Sequence, residues 1–86
     1  MHRKWRVIIL KQGRKYLQRL PQKDCWRILD VLDQLQNNPA NVDIKPLGGR
    51  PEWSLRMGDL RILMRFNSVK REIVITRIGP RGDVYK

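Results

Sequence analysis

Eighty-six residues with 19 Lys and Arg against 8 Asp and Glu, a net charge of +11, and 41% apolar residues describe one small, strongly basic domain over residues 1–86. A chain of this size buries only about 60–65% of its extended surface, which argues against a deep enclosed cavity and for a shallow, surface-built site. One cysteine, Cys25, excludes a disulfide framework and a thiolate-rich zinc site, and one histidine, His2, close to the first residue, argues against Ser-His-Asp and Cys-His mechanisms. The longest apolar run, Val7–Leu10, is far short of the ~20 residues of a membrane span. No signal-peptide core follows the basic N-terminus, so a soluble, cytoplasmic protein without a membrane partner is expected.

In chain order, Trp5–Leu10 is short and rich in β-branched residues and reads as a first strand, too apolar for an edge exposed on both faces. Lys11–Leu20 carries Tyr16, Leu17 and Leu20 on one helical stripe and ends before Pro21, which suits a new helix start. Gln22–Gln36 places Cys25, Ile28, Leu29, Leu32 and Leu35 on one face, flanked by Trp26 and Val31, and Asn37-Asn38-Pro39 ends it. The two helices form an antiparallel hairpin that must cover a sheet. Asn37–Pro51 is a long connection.

Glu52–Met57 and Leu60–Phe66 flank Gly58-Asp59, a two-residue hairpin loop of type I′ or II′. The register then pairs Met57 with Leu60, Leu55 with Ile62 and Trp53 with Met64 on a core face, and Arg56 with Arg61 and Ser54 with Leu63 on the other. A second tight turn at Asn67–Lys70 leads into Arg71–Ile78, pairing Met64 with Ile73, Ile62 with Ile75, and Arg65 with Glu72 as an exposed ion pair. The fold class is α+β: a four-stranded, mostly antiparallel sheet with the N-terminal helical hairpin on one face, in the order β-α-α-β-β-β.

Charge is laid out unevenly: residues 1–20 hold seven bases and no acid, residues 21–44 sum to −2, and residues 45–86 sum to +6. This pattern points to one basic face and a polyanionic partner. Arg56 and Arg61, directly opposed on the hairpin, repel each other unless both splay into water or something anionic offsets them. At the C-terminus Gly79 and Pro80 end the last strand, so Arg81, Tyr85 and Lys86 sit on an extension able to fold back over the sheet. Lys45 and Arg50 flank Gly48-Gly49 in the long connection, without the Gly-Lys-Ser/Thr of a P-loop. Parity assigns Trp53 to the core, and Cys25 reads as an inert core thiol.

Read together, the segments Lys45-Pro-Leu-Gly-Gly-Arg50-Pro-Glu-Trp-Ser-Leu-Arg56-Met-Gly-Asp-Leu-Arg61-Ile-Leu-Met-Arg65 and Ile73-Val-Ile-Thr-Arg-Ile-Gly-Pro-Arg81-Gly-Asp-Val-Tyr85 resemble the RelE branch of the RelE/ParE toxin superfamily over nearly the whole chain. The resemblance implies a toxin of a toxin-antitoxin pair. Such a toxin cleaves messenger RNA, usually in the ribosomal A site, and a small acidic antitoxin neutralises it. Arg61, Arg81 and Tyr85 match the family's phosphate-binding arginines and C-terminal tyrosine, and Lys45, Arg50, Arg56 and Lys86 join them as RNA-binding candidates. Relatives carry lysines where this chain has Trp53 and Ser54, and many carry histidine where it has Pro80, so the general base stays open. RNA brings its own nucleophile in the 2′-hydroxyl, so arginines suffice to orient and neutralise the phosphate, and Tyr85 is the titratable group of the cluster. No metal or cofactor is required. The ParE branch, which shares the fold and acts on DNA gyrase, and a non-catalytic nucleic-acid-binding module are the alternatives.

Overall fold

The computed structural model describes residues 4–80. Its elements are β1 (Arg6–Ile9), α1 (Lys11–Arg19), α2 (Gln22–Asn37), a 3₁₀ turn (Pro39–Asn41), β2 (Ile44–Pro46), β3 (Trp53–Met57), β4 (Leu60–Asn67) and β5 (Glu72–Pro80). The strands form one five-stranded sheet in the order β1-β5-β4-β3-β2, antiparallel except for the parallel β1/β5 pair. The sequence reading gave four strands. The fifth, β2, is three residues of the long connection that gain strand geometry by pairing Ile44 with Leu55, Lys45 with Ser54 and Pro46 with Trp53. β1 is an edge strand despite its apolar composition: the core covers Val7 and Ile9 on one side, and β5 satisfies its inner edge.

Alternation along β4 divides the two faces of the sheet. Ile62 and Met64 point to the core with Leu55, Ile73, Ile75 and Ile78, and Leu17 of α1 and Ile28, Leu32 and Leu35 of α2 cover them. Trp53 joins this side, its ring edge-on to Phe66 at 5.9 Å, and Trp5 meets Phe66 from the other strand end at 5.6 Å. Cys25 is half-buried against the same core. The α2 stripe is narrower than the spacing suggests: Leu29 is 45% exposed and Trp26 64% exposed, the buried line being Ile28-Leu32-Leu35 with Cys25 and Val31 half-buried beside it.

The β3/β4 register is the one read from Gly58-Asp59, Arg56 facing Arg61 included. Gly58 has φ +60° while Asp59 keeps a negative φ, the pattern of a type II′ turn. The β4/β5 register differs from the expectation. Met64 pairs with Ile75, Ile62 with Ile78 and Arg65 with Val74, so the Arg65–Glu72 pair does not form and Glu72 lies opposite Asn67. Two features cause the shift. The turn is Ser68–Arg71, closed by the Lys70 N–H donating to the Asn67 side chain at 3.1 Å, with Arg71 at φ +56°. A bulge at Thr76 then inserts an extra residue, whose hydroxyl donates to the Leu63 carbonyl at 3.2 Å. Consequently Gly79 and Pro80 lie within β5 rather than beyond it, paired with Arg61 and Leu60.

Beyond the end of β1, Gln12 of α1 replaces a strand. Its amide nitrogen donates to the Ile78 carbonyl and its amide oxygen accepts from the Ile78 N–H, both at 2.9 Å. The helix comes close enough because residue 13 is glycine: a Cβ there would lie 3.0 Å from Ile9 Cγ2. Gln12→Leu strands a donor and an acceptor at a buried residue, which costs about 1–3 kcal/mol. Urea unfolding followed by tryptophan fluorescence should show that loss, and amide exchange at Ile78 should accelerate.

Candidate functional site

The sheet face turned away from the helices carries the chemistry. Residues out of phase with the core fall into cross-strand rows: Lys45, Ser54, Leu63 and Arg77 in one, Arg56, Arg61 and Gly79 in the next, Arg65 and Val74 beyond. Next to β2, where Asp43 precedes the strand, the first two rows enclose a hollow of about 460 Å³ lined by Asp43, Lys45, Ser54, Arg56, Arg61 and the Pro46-Leu47 backbone. Opposite Arg61, β5 presents Gly79, a residue without a side chain.

Charge in the hollow is uncompensated. Lys45, Arg56 and Arg61 supply three cations, Asp43 is the one acid, and none of the three forms an ion pair among the described residues. Arg56 is exposed whereas Arg61 is half-buried, and its Nε is fully buried without a hydrogen-bond acceptor among the described residues. A buried charged donor without a partner costs more than an ordinary hydrogen bond returns, so an acceptor beyond the described residues would stabilise Arg61. Rigid arginine forks on a sheet suit a planar or tetrahedral oxyanion, phosphate above all.

Of the sequence-derived candidates, Lys45, Arg56 and Arg61 are brought together. Arg50 is not: it sits in the β2–β3 loop with its guanidinium 3.0 Å from the Glu52 carboxylate. Arg81, Tyr85 and Lys86 lie outside the described residues, one to six positions past Pro80. Arg77 was missed as a neighbour of Lys45 and Ser54, because the Thr76 bulge brings it opposite Leu63 and nothing in the sequence marks that bulge. Among the described residues no three His, Cys, Asp or Glu side chains cluster as metal ligands would.

This fold recurs in solved structures. The archaeal RelE–RelB complex from Pyrococcus horikoshii OT3 contains a chain 33% identical to this one, with a TM-score of 0.80 over 92% of this chain and 97% of that one. The chain belongs to the RelE toxin family. The RelBE2 toxin-antitoxin complex of Mycobacterium tuberculosis matches at 26% identity and TM-score 0.80 over 96% of this chain and 98% of that one. The RelB–RelE complex of Methanococcus jannaschii matches at 25% identity and TM-score 0.74, over 92% and 95% respectively. No protein-family model matches the sequence, and no curated protein matches it significantly.

The opposed arginines of this RelE-type chain make a direct prediction. Arg56→Thr removes the like-charge pair and installs a good strand former, so stability should rise by roughly 0.2–1 kcal/mol while affinity for a short oligonucleotide falls. Paired urea titrations, with and without the oligonucleotide, measure both effects.

Proposed function

We propose that this RelE-type chain is a metal-independent endoribonuclease that cleaves messenger RNA, on the ribosome, by attack of the 2′-hydroxyl on the adjacent phosphate. The observation that carries the reading is the buried, acceptor-less Nε of Arg61 beside Arg56 and Lys45 in an open hollow. In the reaction the 2′-oxygen bonds to phosphorus as the bond to the 5′-oxygen breaks, leaving a 2′,3′-cyclic phosphate and a 5′-hydroxyl. Negative charge grows on the non-bridging oxygens, where fixed guanidinium donors stabilise the transition state more than the ground state. Arg61 and Arg81 fill that role, and Arg56 and Lys45 hold flanking phosphates. Tyr85 takes the proton of the 2′-hydroxyl, and a shallow site of this kind gains its substrate alignment from the ribosomal A site.

The partner that restrains it is a small acidic antitoxin of the RelB kind, a class with which the P. horikoshii, M. tuberculosis and M. jannaschii relatives were captured. A chain of net charge +11 is a strong electrostatic target for an acidic segment that folds on binding. The setting is the cytoplasm, where messages are translated.

Primer extension on a translated message tests the proposal: new 5′ ends inside codons support it, whereas intact message together with inhibited gyrase overturns it in favour of ParE-like action. Losing a preorganised donor costs roughly 3–4 kcal/mol at the transition state, so Arg61→Ala and Arg81→Ala should each slow single-turnover cleavage by about 100-fold or more in a folded domain. Tyr85→Phe keeps the ring and removes the hydroxyl. Cleavage by that variant at the parental rate would remove tyrosine from the base role.

A further inference from the structure

α1 carries a second basic surface, on the opposite side of the molecule from the Arg61 hollow. Lys11, Arg14, Lys15 and Arg19 are all exposed, and their spacing of three, one and four residues sets them along one stripe about 12 Å long. No acid lies within the helix, and none of the four forms an ion pair among the described residues. The inward side of the same helix does the packing, through Gly13, Leu17 and the Gln12 clamp on Ile78.

As a helix, α1 is built against its own stability. Leu10 at the N-cap gives no side-chain hydrogen bond, the first turn holds Lys11 and no acid, and Lys11/Lys15 and Lys15/Arg19 are like-charge pairs one turn apart. Arg19, in the last turn, suits the helix dipole, but Lys11 in the first turn and the like-charge pairs oppose the helix. A polyanion outside the chain offsets that repulsion.

We propose that the outer face of α1 is a docking surface for the phosphate backbone of double-stranded RNA. Two features favour a duplex over other acidic partners. The one aromatic of the helix, Tyr16, is half-buried against the core and lines a shallow hollow with Lys15 and Arg19, so it does not stand free as a stacking platform for single-stranded bases. It also has no apolar centre of the kind protein interfaces bury, in contrast to α2, where Trp26 and Leu29 stand exposed. A straight row of cations without either is suited to backbone contacts, which are read by charge and shape rather than sequence. Because the helices cover the sheet face opposite the hollow, an RNA strand held by Arg56 and Arg61 does not reach α1. The two surfaces take separate RNA elements, and the docking surface stands whether or not the hollow cleaves.

The test compares two charge-matched triple variants of the full chain, K11Q/K15Q/R19Q on the stripe and K23Q/R27Q/K70Q elsewhere. Fluorescence anisotropy with a 20-base-pair RNA duplex across a KCl series gives affinity and salt slope, and circular dichroism gives Tm. The stripe variant should lose at least tenfold in duplex affinity at low salt, with a salt slope shallower by about 2–3. Its Tm should hold or rise, and the control should bind within about twofold of the parent. Equal losses in both triples would reduce the stripe to general charge and overturn the proposal. So would parental duplex binding by the stripe variant, with or without weakened binding to polyglutamate.

Discussion

The two-residue alternation of β4 is the constraint on which the rest of the molecule is arranged. As the central strand it has a neighbour on each side, so the direction of each of its side chains is imposed on β3 and β5 through the ladder. Ile62 and Met64 turn one way and draw two helices over them, and Arg61 and Arg65 turn the other way and leave that face basic. Leu63, fully buried on the basic side, is the exception, and it separates the Arg61 row from Arg65. A one-residue slip would bury the arginines, so burial of the core itself fixes where the arginines stand.

That arrangement is not what stability alone would select. Opposed arginines on β3 and β4, a guanidinium Nε without an acceptor, and a helix lined with like charges each work against the folded chain. They persist together because the core that carries them is dense: eight large apolar side chains are fully inaccessible in a chain of 86 residues. An acidic partner would relieve the same repulsion.

Local signals made much of this legible in the sequence. Gly58-Asp59 determined the β3/β4 register down to Arg56 facing Arg61, and the helix boundaries follow from Pro21 and Asn37-Asn38-Pro39 within a residue or two. What escaped depends on partners distant in the chain. β2 is a strand only because β3 lies beside it, and three residues ending in proline carry no strand pattern of their own. The β4/β5 register turned on a non-glycine residue, Arg71, adopting φ +56° and on an unpaired Thr76, neither of which has a sequence signature. Of the site, Lys45, Arg56 and Arg61 were legible and cluster, Arg50 was diverted by Glu52 two residues away, and Arg77 was hidden by the bulge.

The Gln12 clamp shows how the site reaches the end of the sheet. β1 stops at Ile9, opposite Ile75, so the outer edge of β5 from Thr76 onward has no strand beside it. An unpaired edge at that position would leave the Ile78 N–H and carbonyl buried and unsatisfied, and the strand would have little reason to continue to Pro80. One glutamine amide, presenting a donor and an acceptor at once, supplies what a further strand residue would have supplied. Neither aspartate nor lysine offers that pair. The extension brings Gly79 opposite Arg61 and directs the chain into its last residues from beside the hollow rather than from the far end of β1. The short helix α1 thus divides its polar residues by face, with Gln12 turned toward β5 to finish the sheet and bases turned outward, without an ion pair among the described residues.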